Sequence, residues 1–179
     1  MIIEANEKFT KEEMDELFEI SVRRSQIYKS PEKKYPGVFK ESKKNLITGI
    51  IMLAVTLILG LLTDFGIIII IAITLAAVMT AFAALWLFSL KKTYKDSIAQ
   101  YDKTNSSKIE FNEDFICVEM DNGTIVKIKW SDIGFIKLFN YNVGIFASDK
   151  ARALIIPLKY WNQIAKFMED SRIIVTFYR

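Results

Sequence analysis

Few side chains in this chain could do chemistry, and their spacing does not favour it. There is no histidine, so the commonest proton carrier at neutral pH is missing. The single cysteine, Cys117, lies inside FICVEM with no imidazole to activate it, and reads as a small packed side chain in a strand. In KWSD a hydroxyl, Ser131, stands beside a carboxylate, Asp132. The blander account has Trp130 filling a core and Ser131 or Asp132 capping a single helical turn. The acids of EDF and MDN sit where turns form. Paired cysteines, a glycine loop for phosphate and a nucleophile elbow are all missing. The residues therefore name no catalytic group, cofactor or metal ligand, and the chain reads as a non-enzyme.

One carboxylate stands apart. Asp64, in LGLLTDFGIIII, is the lone charged side chain between Lys44 and Lys91. Residues 46–62 and 65–90 carry no charge, and as helices they span about 26 and about 39 Å. A bilayer's hydrocarbon core is about 30 Å, so each run can cross once, and one continuous helix would be far too long. TDFG is then the tip of a transmembrane hairpin, where a carboxylate costs little. At the bilayer centre it would cost about 3 kcal/mol or more. An ion-carrying Asp64 would need polar company deep in the bundle. Thr48, Thr56, Thr74 and Thr80 are what the runs offer, and threonine can bond its own helix backbone. The hairpin reads as an anchor.

Charge orients it. KKYPGVFKESKK precedes the first run and KKTYK follows the second, while the tip has neither lysine nor arginine. The positive-inside rule puts both termini in the cytoplasm of a multi-pass protein. A lone thiol agrees with a reducing compartment. The acidic opening lacks the basic region of a signal peptide, so the first span itself would direct insertion. A net charge of +3 is too small for a nucleic-acid binder, and the basic residues matter through their placement. Arg23, Arg24, Lys29, Lys33, Lys34, Lys40, Lys43 and Lys44 form a collar before the first span. It is a candidate for binding membrane lipid, anionic headgroups above all, or a topology signal alone.

The elements around the hairpin follow from local pattern. IIEANEKF is β-compatible, and TKEE is a capping box opening a helix to about Tyr28, with Met14, Leu17, Phe18 and Val22 on its apolar face. SPEKKYPG ends it. After a polar stretch at 91–106 the period changes to two. KIEF, FICVEM and TIVKIKW read as strands, with DNG as the turn between the last two. Val126, Ile128 and Trp130 face inward and Lys127 and Lys129 face water. FIKLF, NVGIFAS and RALIIP are further strands, with turns at NYN and SDKA. Pro157 ends the last, a helix places Trp161, Ile164, Ala165 and Met168 on one face, and RIIVTFYR closes as a strand. The boundaries expected are 1–44, 45–90, 91–106 and 107–179.

The run KWSDIGFIKLFNYNVGIFASDKARALIIPLKYW resembles the C-terminal domain of YcxB-like bacterial membrane proteins, matching at Trp130, Ser131, Asp132 and Ile133, then Ile155, Ile156 and Pro157, then Trp161. FTKEEMDELF is similar to that family's N-terminal opening. Residues 171–179 and the Lys-Tyr-Trp helix start depart from its pattern. The resemblance implies a small sheet capped by a helix, similar to a pleckstrin-homology-like domain, with the motif residues structural and the location the bacterial cytoplasmic membrane. IIEANEKF could add to a sheet built from 107–157. The expectation is an α+β membrane protein, a two-helix anchor carrying a cytoplasmic domain that binds lipid headgroups or an unidentified membrane or cytoplasmic protein. The oligomeric state stays open. The alternative is a protein giving its producer immunity to a bacteriocin or toxin, which no residue here selects.

Overall fold

The computed structural model describes residues 1–5, 9–63, 65–101, 107–119 and 123–179. The chain divides into two units, one formed by Met1–Lys34 with Ser97–Arg179 and the other by Tyr35–Asp96. Asp64 falls outside the described residues, as do 102–106 of the expected linker and Asp121 and Asn122 of the expected turn. Gly123 has the φ of 77° that a glycine at such a turn supplies at no steric cost.

In the first unit, β1 (Ile2–Ala5) is followed by helix α1 (Lys11–Lys29). The capping box forms as the sequence predicts. Thr10 Oγ1 accepts from the Glu13 amide at 3.3 Å, and the Glu13 carboxylate accepts from the Thr10 amide at 2.7 Å. The remaining strands come after the hairpin: β2 (Ser107–Phe111), β3 (Phe115–Glu119), β4 (Ile125–Lys129), β5 (Ile133–Leu138), β6 (Asn142–Ala147) and β7 (Ala153–Pro157). Pro157 ends β7, and the expected C-terminal helix starts at Trp161.

Two sheets form where a single one was expected: β1-β2-β3-β4, and a second ordered β7-β6-β5 plus a short final strand. The break falls at Trp130–Asp132, a single 3-10 turn that carries the chain from one sheet to the other. Within IIEANEKF, Ile2–Ala5 join a sheet. β1 lies antiparallel to β2, Ile3 opposite Ile109, although the whole hairpin separates them in sequence.

Period-two alternation sets the core. Ile109, Phe111, Ile116, Val118, Ile128 and Trp130 of the first sheet meet Ile136, Val143, Ile145 and Ile156 of the second, with Ile164 and Met168 of the helix α4 (Trp161–Asp170). Lys127 and Lys129 are exposed, as expected. The same alternation turns Cys117 to the outer face, level with Lys127 and only half-buried, because Ile116 and Val118 take the inner positions. It is not the packed side chain its apolar neighbours suggested.

All six residues of β6 are buried, because its sheet is covered on both faces. The second cover is α1. Phe146 stacks on Phe135 at 4.8 Å between ring centroids, and Tyr28 of α1 meets both edge-on at 5.3 and 5.7 Å. A Cβ on Gly144 would come within 2.5 Å of the Phe146 ring, so that ring lies flat over bare backbone. α1 buries Leu17, Phe18, Ile20 and Ile27, while Val22, expected on the apolar face, is 37% exposed. The buried face also holds Glu13 and Arg23. The Glu13 carboxylate is held in the capping box and Arg23 bonds Gln26, so local partners let these polar side chains lie on the buried face.

The second unit is a helical hairpin, α2 (Val38–Leu62) and α3 (Ile67–Tyr101). α2 starts at Val38 rather than at 45, so Lys40, Lys43 and Lys44 occupy its first two turns. At about 1.5 Å per residue α2 is about 37 Å long. The second span starts at Ile67 rather than Phe65, because Phe65 sits in the turn with φ 48° and its amide bonds back to Gly60 O at 3.1 Å.

The two helices pair through a three–four repeat. Besides Val38, the sheltered positions of α2 are Phe39, Ser42, Leu46, Gly49, Leu53, Thr56 and Gly60, and Ile69, Ile73, Ala76, Thr80, Ala83, Leu87, Leu90 and Tyr94 are among those of α3. Phe39 meets Tyr94 edge-on at 5.5 Å, so the pairing is antiparallel. Small residues let the backbones approach closely. A Cβ on Gly49 would fall 2.7 Å from Thr80 Oγ1 and 3.3 Å from Thr80 Cα. Gly49→Leu should therefore weaken the pair by about 1–3 kcal/mol. Thermal unfolding in detergent, followed by helical circular dichroism, should show a lower midpoint, with Gly49→Ala between the two. An unmoved midpoint for the leucine variant would mean that the helices do not pack at this position.

The threonine hydroxyls stay within their own helices, as foreseen for Thr56, Thr74 and Thr80, which donate to Met52 O, Ile70 O and Ala76 O at 2.7–2.9 Å. Both helices are long and apolar enough to cross a membrane, and 6% of each apolar stretch is buried.

Candidate functional site

The motif residues do not gather at one point: Trp130–Ile133 make the corner between the sheets, while Pro157 pairs with Asn142 at the other end of the second sheet. Trp130 is buried, tilted against Phe111 with centroids 6.2 Å apart, and its indole N–H donates to Asn112 O at 2.8 Å. Ile133 and Ile156 are buried in the core, Ile155 is half-buried, and Pro157 is buried at the end of β7. Trp161 meets Phe177 edge-on.

Ser131 and Asp132 do not cap the turn, which has no side-chain cap at Lys129; they lie within it. The 3-10 turn closes on backbone alone, Ile133 N donating to Trp130 O, which frees the side chains for other contacts. Ser131 Oγ donates to Asp132 Oδ1 at a long 3.4 Å. Asp132 faces Arg152, with 3.8 Å between Oδ2 and Nη2. Arg152 in turn grips Asp149 at 2.9 Å and donates to Lys127 O at 3.3 Å. The Asp149 carboxylate accepts the Ala151 and Arg152 amides, and the Ala151 bond leads in holding its pKa below the usual value. This exposed trio ties the corner, the β6–β7 turn and β4 together.

The eight residues of the basic collar fall in different surroundings. Arg23 is buried on α1 and donates to Gln26 Oε1 at 2.8 Å. Arg24 donates to Lys150 O at 3.2 Å and lies 6.0 Å from the Tyr28 ring centroid. Arg24 thus ties α1 to the β6–β7 turn, while the Gln26 bond of Arg23 lies within α1. Lys29, Lys33 and Lys34 are exposed in the first unit, and Lys40, Lys43 and Lys44 in the second. The antiparallel pairing brings the last three to the same end of the hairpin as Lys91, Lys92 and Lys95 of α3, all exposed. Six ammonium groups thus lie at the end of the hairpin that holds the Phe39–Tyr94 contact, with Glu41 and Asp96 as acids nearby in sequence. The α3 lysines were visible in KKTYK, but only the helix pairing assigns them to the same site.

A polar seam between α1 and the second sheet was missed entirely. Glu16 accepts three hydrogen bonds, from the amides of Asn140 and Tyr141 at 2.8 and 2.7 Å and from Asn142 Nδ2 at 3.0 Å. The fully buried Asn142 also donates to Glu13 O at 3.0 Å. Lys137, 3% exposed, donates to Pro31 O and, at 3.0 Å, to Lys33 O, so an ammonium holds the chain just after α1. Burial lowers its pKa, with Lys34 pushing the same way and Glu32 opposing. Tyr28 OH donates to Arg152 O at 2.8 Å, and burial raises its pKa against the pull of Arg24. The sequence signal was a lone lysine in FIKLF on the strand face opposite Ile136.

Comparison with protein-family models, curated proteins and solved structures gives no match to this chain in any of the three.

Proposed function

We propose that this chain is a non-enzymatic interaction module anchored in the bacterial cytoplasmic membrane. α2 and α3 span the bilayer, both flanks lie in the cytoplasm, and the two-sheet domain engages a lipid headgroup or a protein partner. The observation that carries the reading is the uncovered apolar surface of the hairpin. Ile67, Ile68, Leu62 and Phe88 are each at least 70% exposed. Burying a side chain of this kind is worth about 1.5–3 kcal/mol, which water forfeits and lipid supplies. The six lysines at the open end, with none at 63–66, support the orientation. Two sheets followed by a packed helix support a pleckstrin-homology-like domain.

The orientation is tested in intact cells. In a Cys117→Ser background, Thr63→Cys should react with a membrane-impermeant thiol reagent, and Asn162→Cys, exposed on α4, should stay unlabelled until the cells are opened. Labelling of both before lysis, or of Asn162→Cys alone, would overturn the reading.

A further inference from the structure

α4 ends at Asp170 and the chain turns back along the second sheet. Arg172 takes φ 54°, and the Ile173 amide donates to Met168 O at 2.8 Å. The following residues alternate: Ile173 and Val175 are half-buried against the core, while Ile174 is 97% exposed. Strand β8 (Phe177–Tyr178) then pairs with β5, Phe177 opposite Ile136 and Tyr178 opposite Lys137, and the Ile136 amide donates to Thr176 O at 2.9 Å.

This is a weak hold on a good edge. β8 has two residues against the six of β5, and it runs parallel, whereas the other described strand pairs are antiparallel. Parallel pairing is slightly less stable per residue. Phe177 meets Trp161 edge-on and Tyr178 meets Phe135, yet Phe177 remains 49% exposed. Beneath the segment lie the backbone edge of β5 and, beside Met168 of α4, the core against which Ile173 and Val175 pack at alternate positions.

We propose that the groove between β5 and α4 is a strand-accepting site. In this structure it is held by residues 171–179, and it takes in their place an extended partner peptide with apolar side chains two residues apart. The β5 backbone gives such a peptide affinity that does not depend on its sequence, and the packing positions now held by Ile173 and Val175 give selectivity. The proposal deepens the reading of the domain as an interaction module by naming where a protein partner binds.

Two measurements on the full chain in detergent test it, and neither depends on bilayer orientation, so their failure would leave the anchor reading intact. In hydrogen exchange, the Ile136 amide, which the segment covers, should exchange about 100-fold faster than the buried β6 amides, because local release precedes global unfolding. The second measurement uses a fluorescent peptide with the sequence of 171–179. It should bind the double variant Ile173→Asp, Val175→Asp at least about tenfold more tightly than the unmodified chain, whose own segment competes. A peptide carrying the same two substitutions should not bind. Ile136 exchange as slow as that of β6, or peptide binding no better to the variant than to the unmodified chain, would overturn the proposal. The exchange measurement decides the matter even if the variant fails to fold.

Discussion

Phe146→Ala should destabilise the α+β domain by about 3–5 kcal/mol, the range for removing a buried aromatic ring. Phe146 is fully buried in β6, a strand covered on both faces, and its ring is shared by Phe135, Tyr28 and Phe139, with Gly144 directly beneath it. Its loss would leave a void between α1 and the sheet. Neither side can close that void readily, because Glu16 and Asn142 fix α1 by hydrogen bonds. Urea unfolding of the full chain in detergent, followed by near-ultraviolet circular dichroism, should show a midpoint well below that of the unmodified protein. Phe146→Leu should recover part of the loss. A midpoint within error for the alanine variant would mean that α1 does not seal this face.

Lys137→Ala should cost about 2–4 kcal/mol at neutral pH. Two part-buried carbonyls, Pro31 O and Lys33 O, lose the ammonium that serves them, at about 1–3 kcal/mol for each one left unpaired. Lys137→Met, which keeps the stem but not the donor, should fall between. The charge itself is carried at a cost, since burial lowers the pKa from 10.5. Between the folded pKa and about 10.5 the unfolded chain binds more protons than the folded one. Stability from this group therefore grows with pH through that window and is lost as pH falls through the folded value. Tyr28 works in the opposite sense. Its pKa is raised from 10.0, so its contribution is present below that value and fades as pH climbs through the folded one. In a Tyr28→Phe background the unfolding midpoint should thus rise from neutral pH toward about 10.5, and adding Lys137→Ala should abolish the rise. An alanine variant as stable as the parent at neutral pH would show that water, not Lys137, serves those carbonyls.

What the sequence determined by itself is what depends on neighbours along the chain. The capping box needs Thr10 and Glu13 three residues apart. The hairpin needs two apolar runs of bilayer length with a charged break and lysines outside them. The inward faces of β4 and α4 need periods of two and of three to four. Each is a one-dimensional pattern, so each could be read before any folding was known. The tertiary structure alone decided what depends on partners remote in the chain. It joined β1 to β2 across the hairpin and broke one expected sheet into two at Trp130–Asp132. It extended α2 back to Val38, since a helix does not stop where hydropathy does. It turned α1 onto a face bearing Glu13 and Arg23, and it put Lys137 where burial would otherwise forbid a charge. In these cases hydropathy pointed elsewhere. A polar group such as Lys137 or Asn142 is buried when its hydrogen-bond partners are supplied from another part of the fold, and no local pattern records where those partners will arrive.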